Sequence, residues 1–152
     1  MSNPDHIPVV LCGRSTAVGK PVSEALLPEL EVIHFIQTNE AAIAEIPHLL
    51  SGQDPNSQES DSGVGTHNYT RPARAVIFGR GYDQSDIDAF RAACEGITKG
   101  PVAWVIGDPA KAPAPGAPPP GPGYSAVVAK MVKEAVLGWI SEGAVKDEVI
   151  LY

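Results

Sequence analysis

Apolar residues fall along this chain in two alternating rhythms. Short, mostly apolar runs occur at 8–12 (PVVLC), 31–36 (EVIHFI), 73–78 (ARAVIF) and 101–106 (PVAWVI). Short runs of this kind predict strands buried on both faces. Between them the apolar spacing lengthens to three or four. Val18, Val22, Leu26 and Leu27 mark one face of a helix over 18–27, with Pro21 in its first turn and Pro28 ending it. A short helix over 40–46 follows, capped by Thr38 or Asn39 and stopped by Pro47. Ile87, Phe90, Cys94 and Ile97 predict a helix over 85–96, capped by Asp83 or Ser85, with Asp86 and Asp88 at its positive end. A last helix over 124–142 carries a wide apolar stripe that includes Val128, Val132, Val136 and Trp139, and Gly143 ends it.

Strand and helix alternate four times, which calls for a parallel sheet with helices on both faces. The expected fold is one α/β domain over 1–152, a Rossmann-like three-layer sandwich on a four-stranded sheet. Right-handed crossovers leave two strand orders, 2-1-3-4 and 3-2-1-4. Two segments break the rhythm. Residues 51–72 are polar and rich in Gly, Ser and Asn, and read as a long surface loop. Residues 109–123 (PAKAPAPGAPPPGPG) read as an extended, stiff connector. The tail DEVILY reads as an exposed apolar edge. Either the last helix's stripe is buried against the sheet alone, or part of it joins the tail in a homodimer.

Composition narrows the partners. The chain has 152 residues, 43 % of them hydrophobic, enough for one core. A net charge of −7 argues against nucleic acid or an anionic membrane. No basic stretch precedes a long apolar one, so neither a signal peptide nor a membrane span is expected. Cys12 and Cys94 lack metal or redox-pair spacing and are expected to be reduced, buried and structural, in a cytoplasmic protein. His6, His34, His48 and His67 show no ligand spacing, so no metal is expected, and His34 reads as a structural histidine. Ser15 is in no G-x-S-x-G elbow, and Lys20 misses the Walker pattern.

The chemistry concentrates in residues 9–27, VVLCGRSTAVGKPVSEALL. A strand leads through a glycine-bearing polar loop into a helix, a layout that aims backbone N–H groups and the helix dipole at a phosphate. Gly13, Arg14, Ser15, Thr16, Val18, Gly19 and Lys20 are the candidate contacts. The spacing of Gly13 and Gly19 equally suits an ordinary turn, the first ending a strand and the second letting helix approach sheet. In the order 2-1-3-4, Gly79, Arg80, Gly81 and Tyr82 face this loop across a crevice. Two glycines admit a ligand there, Arg80 adds positive charge, and Tyr82 either stacks on a base or packs inward. The second strand ends in Gln37 and Thr38, where an NAD site usually offers an acidic residue. That tilts toward NADP, or away from any dinucleotide.

The stretch GRSTAVGKPVSEALL resembles the G-R-S-x-x-V-G-x-P signature, followed by leucines, of the cofactor domain of methylenetetrahydrofolate dehydrogenase/cyclohydrolase. Gly13, Arg14, Ser15, Val18, Gly19, Pro21, Leu26 and Leu27 carry the match. The resemblance implies that Arg14 meets a ribose 2′-phosphate and Ser15 the pyrophosphate or a neighbouring phosphate. RAVIFGRG and VAWVIGD resemble that family's next two strands, which lie beside the first and so imply the order 2-1-3-4. The folate-site tyrosine and lysine belong to an N-terminal catalytic domain that this sequence does not match, so no catalytic residue carries over. The chain also looks like a group of small fungal Rossmann-like proteins with the same polar insert, NY-x-RP step and Pro-rich loop, described as NAD(P)-binding-like. The expected function is therefore binding of a nucleotide cofactor, NADP(H) ahead of NAD(H), in a small oxidoreductase or its accessory. The alternatives are a cofactor-independent isomerase, hydrolase or cyclase of a small metabolite using the same crevice, and a non-catalytic ligand-sensing or oligomeric module. The two long loops would serve as lids.

Overall fold

The computed structural model describes residues 7–13, 16–27, 29–53, 64–67, 69, 71–79, 82–96, 101–107, 124–143 and 148–152. Its elements run β1 (Ile7–Cys12), α1 (Thr16–Leu26), β2 (Leu30–Ile36), α2 (Asn39–Leu50), β3 (Ala75–Phe78), α3 (Gln84–Ala93), β4 (Ala103–Ile106), α4 (Tyr124–Ser141) and β5 (Glu148–Leu151). The strands form one sheet in the order β2-β1-β3-β4-β5. Every pairing is parallel.

The expected α/β fold and the core order 2-1-3-4 hold, but the sheet has five strands rather than four. The tail is the fifth strand, at the sheet's edge. It pairs along β4 from Ala103–Glu148 to Ile106–Leu151. Glu148–Leu151 is too short to signal a strand by itself and becomes one because β4 offers a ladder.

β2, β3 and β4 are buried throughout, and β1 is buried beyond Ile7, as continuous apolar runs require. On one face α1 and α4 pack Val22, Leu26, Val132, Val136 and Trp139 over Val9, Leu11, Phe35, Ile77 and Val105. On the other, α2 and α3 pack Ile46, Leu49, Ile87 and Phe90 over Val10, Cys12, Ile36, Val76 and Phe78. Phe78 stacks between Phe90 and Trp104, with centroids 5.8 and 6.2 Å away. Each such fully buried side chain stabilises the fold by roughly 1.5–3 kcal/mol. The stripe on α4 is not buried in full, since Val127 stays exposed.

Both internal prolines sit deeper than expected. α1 begins at Thr16, which places Pro21 in its second turn. α2 does not stop at Pro47 but continues to Leu50. Proline forfeits one i→i−4 bond there, while Leu49 and Leu50, each 1 % exposed, anchor the extra turn. The caps follow sequence. Thr38 accepts a hydrogen bond from Ala41 N–H at 3.1 Å, and Asp83 and Asp86 form a capping box.

One irregularity shapes β2. Val9 pairs with Val32 but Val10 with His34, so Ile33 is an extra residue. Ile33 belongs to the α2-side cluster, and His34 reaches Glu45 of α2, so the bulge turns both toward α2. The end of the polar insert is not a free loop. Thr66 and His67 donate their N–H groups to Val32 O (2.9 Å) and Ile33 O (3.0 Å), forming a strap along the outer edge of β2. Gly65 takes φ 96° and His67 φ 57° to keep this course. A Cβ at Gly65 would lie 3.0 Å from Val32 O. The Pro-rich stretch 109–123 lies outside the described residues.

Candidate functional site

The strand order reverses between β1 and β3. The chain leaves β1 for β2 on one side and later returns to β3 on the other, so the turns after β1 and β3 diverge at the carboxyl ends. Gly13 and Gly79 stand side by side where these turns leave the sheet, and form the floor of the candidate site. Gly13 N–H bonds Ile36 O at 2.9 Å, and Gly79 N–H bonds Cys12 O at 2.8 Å. A Cβ placed on Gly79 would lie 3.8 Å from Gly13 Cα, so the two backbones run side by side with no side chain between them. α1 starts at Thr16, an exposed residue just beyond this floor, and its first-turn N–H groups face the same end of the sheet.

Two tyrosines brace the carbonyls of this end. Tyr82, 6 % exposed, packs edge-on to Phe78 and Phe90 and donates its hydroxyl to Ile36 O at 3.3 Å. Its ring is therefore a packed wall and is not presented for stacking. Tyr152 packs on the α1/α4 side and donates to Phe78 O at 2.8 Å. Sequence reasoning passed over Tyr152, whose only signal is its place on the inward face of the tail, two residues after Ile150.

The structure separates the candidates of the first loop. Gly13 lies at the floor. Val18, Gly19 and Lys20 lie within α1. A Cβ on Gly19 would come within 2.4 Å of Phe35 Cε1 and Cζ, and one on Gly13 within 3.2 Å of Phe35 Cε1. Both glycines thus seat the same buried ring, and their spacing has a packing cause. Lys20 lies on the exposed side of α1, beside a groove shared with Ser23, Val64 and Thr66. Thr38 spends its hydroxyl on the α2 cap, and Gln37 is half-buried beside it. Arg14, Ser15, Arg80 and Gly81 lie outside the described residues.

A second polar cluster sits under α2. His34, 1 % exposed, places Nε2 2.5 Å from Glu45 Oε1 and Nδ1 2.9 Å from the Tyr69 hydroxyl. With its proton on Nε2 donated to Glu45, the imidazole accepts the tyrosine proton on Nδ1. The His67 ring lies 6.1 Å from that of His34 and 6.2 Å from that of Tyr69. The cluster fastens the strap to β2 and α2. Its partners are distant in sequence, so only the histidine was visible as a candidate. Cys12 and Cys94 are buried free thiols. Among the described residues no group of three His, Cys, Asp or Glu side chains is placed to hold a metal ion, and no helix is long and apolar enough to cross a membrane.

No protein-family model matches the chain, and no solved structure matches it. A curated relative does: Kojic acid related protein 6 of Aspergillus oryzae is 40 % identical over 147 residues, spanning 96 % of this chain and 86 % of the relative. Identity at that level over nearly the full length of both makes this chain a member of the same family as Kojic acid related protein 6.

Proposed function

We propose that the protein binds a phosphate-bearing nucleotide, NADP(H) ahead of NAD(H), in the crevice at the carboxyl ends of β1 and β3. The observation that carries this reading is the reversal of strand order above a floor made of Gly13 and Gly79, with the N-terminus of α1 beside it. Open parallel sheets bind ligands at such a switch point, and a helix N-terminus there favours an anion. Arg14 and Ser15 enter from the sequence alone, as the two residues that follow Gly13. No acidic side chain ends β2, since Gln37 and Thr38 occupy that place. The preference for a 2′-phosphate rests on this and on Arg14. The relative's name links that protein to kojic acid, and a crevice for a small molecule is a reading both chains can share.

One observation favours a mononucleotide as the second reading. A five-stranded sheet in this order has one switch point and lacks the second βαβαβ half of a dinucleotide domain. Calorimetric titration with NADP, NAD and FMN separates the two. Binding of NADP that Arg14→Ala weakens, with NAD unaffected, supports the first reading, and binding of FMN alone supports the second. No heat from any of them at millimolar concentration removes both. A cofactor-independent enzyme or a non-catalytic module would then remain.

A further inference from the structure

The two margins of the sheet differ. β2 is covered by the strap of Thr66 and His67, whereas β5 carries nothing on its outer side among the described residues. Glu148 and Tyr152 donate their N–H groups to Val102 O and Ile106 O beside β4. Hydrogen bonding alternates along a strand, so the N–H and C=O groups of Val149 and Leu151 point outward. The same two residues expose their apolar side chains, at 38 % and 52 %. The strand contains no proline and no lysine, the usual blunting devices of an edge, and its one charge is Glu148 at its start.

We propose that β5 pairs antiparallel with β5 of a second copy of this chain, about a two-fold axis through Ile150. Unpaired backbone groups in a row call for a strand as occupant, and this strand complements itself. Val149 faces the partner's Leu151 and exchanges both N–H···O bonds with it, and the symmetric pair doubles the set. Valine then meets leucine on the α3 side, and Ile150 meets the partner's Ile150 on the other. Two molecules that each carry −7 repel, and this register keeps the Glu148 side chains of the two copies apart. The register sets Glu148 opposite the partner's Tyr152. The two carboxylates then stand about 14 Å apart along the ladder, beyond the ~8 Å Debye length of physiological salt. The contact is small beside the ~1,200–2,000 Å² of a stable interface, so the dimer is weak and depends on concentration.

Sedimentation of the full chain from low micromolar to millimolar concentration should show a monomer passing into a dimer. Leu151→Pro removes an outward N–H and leaves the bonds to β4 in place. Val149→Lys puts a charge on the edge at an already exposed position. Each should weaken dimerisation by at least about tenfold without changing the far-UV spectrum. Amide exchange gives an independent readout in the unmodified chain: protection of Val149 and Leu151 should rise with concentration, while Ile150 stays constant. A monomer at millimolar concentration, a dimer indifferent to both substitutions, or edge amides whose protection ignores concentration would each overturn the proposal.

Discussion

Replacing Gly19 by alanine sets two effects against each other. Alanine is favoured over glycine within a helix by about 1 kcal/mol, and Gly19 lies inside α1. Against that gain, the new methyl would stand 2.4 Å from both Cε1 and Cζ of Phe35 and 3.1 Å from Cδ1. Carbon atoms settle at about 3.5–4.0 Å, so helix and ring must part by more than an ångström. The ring has little room to yield. Phe35 is 1 % exposed, and the position of a Cβ on Gly13 is only 3.2 Å from the same ring. Overpacking of this kind costs about 1–3 kcal/mol and occasionally more. Contacts of 2.4 Å put the cost at the upper end of that range, about 2–3 kcal/mol, so the net loss should be about 1–2 kcal/mol, or a fall of about 2–8 °C in Tm for a chain of this size. Equilibrium urea unfolding followed by far-UV circular dichroism measures it. Adding Phe35→Leu should shrink the cost of the alanine, giving a coupling of about 1–2 kcal/mol in a double-mutant cycle. A Gly19→Ala variant as stable as the parent, or more so, would refute the reasoning and return Gly19 to the ligand loop.

Glu45→Ala leaves the buried Nε2–H of His34 without its acceptor and should cost about 1–3 kcal/mol, read as a lower urea midpoint. A loss under about 1 kcal/mol would show that the pair does not hold the strap. Asp83 is held below its ordinary value of 3.8 by the Ser85 hydroxyl first and the Asp86 backbone N–H next. A lowered folded pKa gives stability that is present above the unfolded value and lost as pH falls through the folded one. The stability gap between the parent and Asp83→Ala, from urea titrations at several pH values, should therefore be full at neutral pH and fade below 3.8. A gap unchanged down to strongly acidic pH would contradict the capping role of the carboxylate.

Local signals read well in this chain and tertiary ones did not. The caps at Thr38 and Asp83 were legible because a capping side chain and its N–H partner lie three residues apart. The central strands were legible because burial on both faces writes itself as a short, mostly apolar run. Pro47 misled because local chemistry forbids what Leu49 and Leu50 enforce from the core. β5 was missed as part of the sheet because four residues carry little pattern without a neighbour. The bulge at Ile33 and the Glu45–His34–Tyr69 chain join elements 11 and 35 residues apart, which no periodicity reports. At the site, the glycines were found and close helix–sheet approach at Gly19 was one of the two readings, but nothing local announces that Phe35 lies beneath both Gly13 and Gly19.

Strand addition runs on into a fibre only when every molecule offers two receptive margins, and it stops at a pair when each offers one. Residues late in the polar insert, with Gly65 and His67 held at positive φ along β2, act as a stopper on one side of the sheet. Any joining of sheets through the remaining side leaves a closed ten-stranded unit whose outer rims are both plugged. The backbone geometry of a few insert residues thus sets an upper limit on assembly size.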